Sequence, residues 1–138
     1  MPYATQAALE DAFGVAEILQ VADRDGDGEA DEAVLAAALA RADATIDGYL
    51  GARYATPVAP PPLPILTAMA CDLARYWLYD DAAPDRVREG YEDALAWLRE
   101  VAAGKVALGL PPAAAPLTGS PRGAAAARAF TRESTQLY

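Results

Sequence analysis

The chain has 138 residues, a formal net charge of −9 and one cysteine, and it contains no histidine. This length accommodates one domain, or one domain followed by a tail. The acidic balance argues against nucleic acid or an anionic membrane as the main partner, and the lack of histidine excludes Cys/His zinc sites and Ser-His-Asp or Cys-His catalysis.

Two short helices are predicted at the N-terminal end. Thr5 can cap the first, TQAALEDAF, and Gly14 would end it. The second, VAEILQVA, runs into an acidic loop. The N-terminus is polar and lacks the apolar stretch of a signal peptide, and no apolar run approaches the roughly 18 residues of a spanning helix. We therefore expect a soluble cytoplasmic product that does not contact membranes.

The acidic loop, DRDGDGEADE at 23–32, begins like the calcium-binding loop of an EF-hand. Val34 occupies the twelfth position, where an EF-hand has a bidentate Glu, and the chain has no second such loop. Two interpretations stay open: a weak, truncated calcium loop, or a solvated acidic turn with Asp-Gly corners. No cofactor is required in the second case, and calcium is the candidate in the first. The candidate ligands are Asp23, Asp25, Asp27, Glu29 through its backbone carbonyl, and Asp31.

Three longer helices are predicted to form the body. The first begins at Asp31, which would cap it, and carries one apolar face from Val34 to Tyr54. The second runs from about Leu63 to Asp80 and is apolar nearly all round, so we expect it at the centre. The third begins at Pro84 or Asp85 and stops at Gly104. The Pro-rich segment Thr56–Pro64 is expected to be a rigid elbow between the first two.

Individual side chains of these helices carry further expectations. Cys71 lies in an apolar run and is expected to be a buried thiol. Asp72 and Arg75, three residues apart, could form an ion pair. Asp80, Asp81 and Asp85 fit ordinary turn and capping chemistry better than a catalytic carboxylate pair, and no phosphate loop or nucleophile motif is present.

The C-terminal part of the chain differs from the body in composition and charge. KVALGL, Lys105–Leu110, is either an edge strand or an extended segment that pairs with something. Residues 111–138 are rich in Pro, Ala and Gly, which is typical of disorder, and carry +2 against −11 for residues 1–110. We therefore predict an all-α bundle of four to five helices with a Pro-rich elbow over 1–110, and an extended C-terminal docking arm over 111–138.

The order of these motifs resembles a known family. The segments DRDGDG, IDGYLGARY, CDLARYWLYDD and WLREVAAGKVALGL occur in continuous order over roughly residues 1–110. Together they make the chain similar to the small head-to-tail connector proteins of Mu-like phages and prophages. The resemblance implies a structural virion protein, not an enzyme, that forms a ring, commonly of twelve copies, beneath the portal. It implies a location in the virion neck, after assembly in the cytoplasm of the host bacterium.

The partners implied are the phage portal protein, neighbouring copies of the chain, and the next neck or tail protein, with no sequence-specific nucleic-acid binding. Two alternatives remain: a single-loop, EF-hand-like calcium-binding module, and a head-completion stopper. A sheet-rich tail terminator is disfavoured, since strand signals are almost absent. Residues expected to anchor the arm on a partner are Arg122, Arg128, Phe130, Arg132, Leu137 and Tyr138.

Overall fold

A computed structural model describes residues 2–112 of the chain. Over this range the protein is helical and has no β-strand, which confirms the prediction of an all-α bundle. Of the arm predicted over 111–138, the part after Pro112 lies outside the described residues. The helices are α1 (Gln6–Phe13), α2 (Val15–Ala22), α3 (Glu32–Leu50), α4 (Pro64–Tyr79) and α5 (Asp85–Ala102), with a short 3-10 turn at Asp80–Ala82 before α5.

Local sequence signals account for where the helices begin and end. The Thr5 hydroxyl accepts a hydrogen bond from the amide of Ala8 at the start of α1. Gly14, with φ of 99°, separates α1 from α2. Pro64 occupies the first turn of α4, where its missing amide hydrogen has no cost. Gly104 follows α5 with φ of 87°, and a Cβ there would lie 2.9 Å from the guanidinium of Arg53.

Helix α4 forms the centre of the bundle, as its apolar sequence predicts. It packs against α1, α2, α3 and α5. Several of the fully buried positions along these contacts are alanines, which allow the helix axes to approach closely. The predicted apolar face of α3 is also the buried one. Buried residues of α3, α4 and α5 include Leu35, Ala42, Ile46, Leu50, Leu66, Ala70, Leu73, Ala74, Leu98 and Val101.

Tyr3 ties the N-terminal residues to the Pro-rich elbow. Its side chain is buried, and its hydroxyl accepts a hydrogen bond from the amide of Val58 and donates to Asp47. Its own amide donates to Asp43, and its carbonyl accepts from the hydroxyl of Thr67. The elbow is therefore fixed by a tyrosine more than fifty residues away in sequence, in addition to its own prolines.

The ion pair expected within α4 does not form. Arg75 instead donates two hydrogen bonds to Glu17 of α2, at 2.6 and 3.0 Å, because its side chain points toward α2. Its guanidinium also stacks over the Phe13 ring, 4.0 Å from the centroid. Asp72 faces α5, beside Gly90. No helix in the described part of the chain is long and apolar enough to cross a bilayer.

Candidate functional site

Backbone amides fold the acidic loop around its first aspartate. The two carboxylate oxygens of Asp23 accept hydrogen bonds from the amides of Gly26, Asp27 and Gly28 at 2.8 to 3.2 Å. Gly26 and Gly28 have φ of 77° and 87°, which only glycine adopts without strain. The Asp-Gly pairs thus supply the corners that the sequence predicts.

Four of the five predicted ligands converge in this loop. Asp23, Asp25, Asp27 and Asp31 each place a carboxylate oxygen within 4.8 Å of the others. The carboxylate of Glu29 is not part of the group, in keeping with the backbone role predicted for it. Hard oxygen donors at this separation suit Ca²⁺, which takes six to eight oxygens at about 2.3–2.6 Å. Val34, at the position where a bidentate Glu would complete the shell, supplies no oxygen from its side chain.

The pKa values of Asp23 and Asp25, the first two carboxylates of the loop, are shifted in opposite directions. Desolvation opposes ionisation of Asp23, but hydrogen bonds from the Gly28 and Gly26 amides outweigh it and lower the pKa of Asp23. The Asp27 amide favours ionised Asp25, yet desolvation and the Asp23 carboxylate raise the pKa of Asp25. The loop therefore holds crowded negative charge that a bound cation would relieve.

Asp31 closes the base of the loop and does not cap α3 in the expected way. It stands at the N-cap position, but its side chain makes no capping hydrogen bond. Its carboxylate accepts instead from the amide of Arg24, while its amide donates to the carbonyl of Ala22. These two bonds join the end of α2 to the start of α3, so the loop also positions helices.

The chain leaves the body along an extended segment, Lys105–Pro112. Val106, Leu108 and Leu110 are half-buried and alternate with exposed residues, as in an extended chain lying on an apolar surface. The hydroxyl of Tyr54 accepts a hydrogen bond from the Leu108 amide at 3.1 Å, and an isolated bridge pairs Tyr54 with Pro112. Of the two interpretations of KVALGL, the extended segment is therefore the observed one.

The other sequence-predicted positions fall into two groups. Asp80 and Asp81 lie in the 3-10 turn, and Asp85 pairs with Arg88 on the surface at 2.6 Å, as turn chemistry predicts. Cys71 is buried, and burial raises the pKa of its thiol to about 11, which makes it a poor nucleophile. The six arm anchors predicted between Arg122 and Tyr138 lie outside the described residues.

Sequence reasoning missed two groups of charged residues. The Glu17–Arg75 pair joins residues 58 apart in sequence, so no spacing rule indicates it. A cleft flanked by Arg24 and Arg41 forms only when the acidic loop, α3 and the end of α4 come together. Only Arg41, which stands among the alanines of α3, could have given a weak signal.

The described residues thus form a small helical protein with an acidic loop and an extended exit segment. Residues 3–126 match the family described as Bacteriophage Mu, Gp36, and the chain belongs to this family. The expectation of a Mu-like phage protein is confirmed.

Two curated relatives agree with this assignment. The chain is 44% identical over 80 residues to the Mu-like prophage FluMu protein gp36 of Haemophilus influenzae, over 58% of this chain and 56% of that protein. It is 38% identical over 79 residues to gene product J of Escherichia phage Mu, over 57% and 55% of the two chains. The matched part thus spans just over half the length of these relatives.

Proposed function

We propose that this protein is a structural virion protein, a head–tail connector subunit. In this proposal copies of the chain form a ring below the portal, commonly of twelve, and extend the DNA channel toward the tail. The proposed location is the virion neck, and the proposed partners are the portal, the neighbouring copies and the next neck or tail protein. Membership in a phage Mu family supports the phage origin. The exit segment and the acidic body support the connector role.

The observation that carries the proposal is the exit segment. It lies extended on the body surface, held by one hydrogen bond to the Tyr54 hydroxyl and one isolated bridge. A chain that leaves the body in this way can continue onto a neighbouring protein, where main-chain pairing and a few anchoring side chains give affinity. The body, with a charge of −11 over residues 1–110, would repel DNA and let it slide through a channel.

The test is portal binding by the full-length chain beside a chain that ends at Pro112. We expect the full-length protein to bind portal as a ring and the shortened one to lose binding by a factor of about 100 or more, as linked binding sites lose avidity. Native mass spectrometry of each protein, with and without portal, measures both outcomes. The shortened chain keeps the Tyr54–Pro112 bridge, so its circular dichroism spectrum should show an intact helical body. Portal binding by neither protein would refute the connector role.

The convergence of four carboxylates favours a second proposal, that the acidic loop binds a calcium ion. We expect weak binding, with a Kd on the order of 10⁻⁴–10⁻³ M, because the loop is single and lacks the bidentate Glu. Isothermal titration calorimetry with CaCl₂ measures it. Changing Asp25 and Asp27 together to Asn should abolish the binding heat, whereas Asp80→Asn with Asp81→Asn removes equal charge and should leave it unchanged. Equal heats from both double variants would mean unspecific ion screening.

A further inference from the structure

The cleft flanked by Arg24 and Arg41 has no role in the loop or the exit segment. Its volume is about 280 Å³, and Val34, Ala37 and Trp77 contribute to its apolar lining. Arg41 lies over the Trp77 ring, 4.6 Å from the centroid. The cleft therefore combines an apolar floor with two cationic groups on an otherwise strongly acidic body.

Both guanidiniums are held in place without a carboxylate partner. Arg24 donates to the carbonyls of Val21 and Leu78, at 3.3 and 3.0 Å. In the described part of the chain, neither Arg24 nor Arg41 lies within 4.0 Å of a carboxylate oxygen, although Asp80 also lines the cleft. A partly apolar cleft with fixed, unpaired cations is complementary to a surface that presents carboxylates beside small side chains.

The chain itself presents such a surface in the groove between α4 and α5. Asp72 lies beside Gly90 of α5, and Glu89 and Asp93, one helical turn apart, are exposed on that side of α5. Burial and the charge of Asp93 raise the pKa of Asp72, although Arg75 acts in the opposite direction. Within residues 2–112 none of the three carboxylates is part of an ion pair.

The cleft and the groove lie on different faces of α4. Trp77 of the cleft and Asp72 of the groove are five residues apart on α4, which separates their directions by about 140° around the helix axis. An interface between two different surfaces of one chain is head-to-tail, and such interfaces close into rings when the rotation allows.

We propose that the Arg24–Arg41 cleft of one copy binds the Asp72–Glu89–Asp93 groove of the next copy. The inference rests on the proposed ring and names the surfaces that join its subunits. The cations of one copy neutralise the carboxylates of the next, while the alanines of α3 and Gly90 of α5 allow close approach. The occupant of the cleft is thus a second copy of this chain.

Charge reversal in the cleft tests the proposal on the full-length protein. We expect R24E/R41E to weaken self-association about tenfold or more, measured by sedimentation velocity over a concentration series. R53E/R99E makes the same change in net charge at two exposed positions outside both surfaces and should self-associate like the wild type. The quadruple variant R24E/R41E/E89R/D93R, with both surfaces reversed, should regain association. Circular dichroism confirms that each variant is folded.

Mixing two defective variants distinguishes a head-to-tail contact from a general charge effect. R24E/R41E keeps its groove and E89R/D93R keeps its cleft, and the two reversed surfaces are complementary to each other. An equimolar mixture should therefore regain the association that each variant lacks alone. Wild-type association by R24E/R41E, or a wild-type protein that stays monomeric at every concentration, would overturn this interface. Portal binding by the full-length chain decides the connector proposal separately, since a ring could close through other surfaces.

Discussion

Replacing Glu17 by Gln is expected to lower the free energy of unfolding by about 2–4 kcal/mol, because it leaves the Arg75 guanidinium without its counter-charge. The side chains of Arg75 and Glu17 are only 11% and 20% exposed. Removing one member of a fully buried pair costs about 3–5 kcal/mol, and the remaining exposure of Glu17 places this pair toward the lower end. Urea denaturation followed by circular dichroism at pH 7 measures the loss.

The same pair makes stability depend on acidic pH. Burial opposes ionisation of Glu17, but hydrogen bonds from Arg75 and Tyr79 outweigh it and lower the pKa of Glu17 below its usual value of 4.5. A carboxyl with a lowered pKa in the folded state stabilises the fold above its unfolded pKa, and this contribution is lost as pH falls. The difference in stability between the wild type and Glu17→Gln should therefore be largest at neutral pH and shrink below about pH 4.5.

An exposed ion pair supplies the matched control. Asp85 and Arg88 are joined by a bond of the same length, 2.6 Å, but their side chains are 84% and 45% exposed. Asp85→Asn should leave the urea midpoint unchanged, since solvent screens such pairs. If Glu17→Gln also left the urea midpoint unchanged, the Glu17–Arg75 pair would be a surface contact in solution. Helix α2 would then be held to α4 by apolar packing alone.

The contrast between these two pairs shows what local sequence can and cannot predict. Thr5 and Gly14 define α1 through bonds to residues within four positions, so the bounds of α1 follow from the sequence. Arg75 has a potential partner in Asp72, and their i, i+3 spacing on one helix predicts an ion pair between them. The tertiary fold overrides that choice, because α4 directs Arg75 toward α2 and Asp72 toward α5.

The candidate sites divide in the same way. The acidic loop is contiguous, so the ligand positions Asp23 to Asp31 could be assigned from spacing, and their convergence follows from the Asp-Gly turns. The alternation in KVALGL fits a strand and a lone extended segment equally well, and only the position of Tyr54 distinguishes them. The Arg24–Arg41 cleft depends on the packing of three elements, which no local pattern contains.

Replacing Tyr3 by Ala is expected to destabilise the protein by about 3–5 kcal/mol, the range for removing a large buried aromatic side chain. Tyr3 is 2% exposed and contacts α3, the elbow and α4 through the hydrogen bonds of its amide, carbonyl and hydroxyl. Its loss should also release the elbow, so the amide hydrogen of Val58 should exchange faster with solvent. Urea denaturation and hydrogen exchange measure the two effects.

Tyr3→Phe separates the hydroxyl from the ring. It keeps the apolar contacts but leaves the Val58 amide and Asp47 without their partner, for an expected loss of about 1–3 kcal/mol. Burial and the bond to Asp47 raise the pKa of Tyr3 to about 12, from 10.0 in an unfolded chain. The contribution of a group whose pKa is raised on folding is present below pH 10 and is lost as pH rises toward 12. The wild type should therefore lose stability over that interval more steeply than Tyr3→Phe. The contradicting result would be a wild type and a Tyr3→Phe variant that lose stability in parallel between pH 10 and 12, together with a Tyr3→Ala variant whose free energy of unfolding falls by less than about 1 kcal/mol. The elbow would then be fixed by its prolines and not by Tyr3.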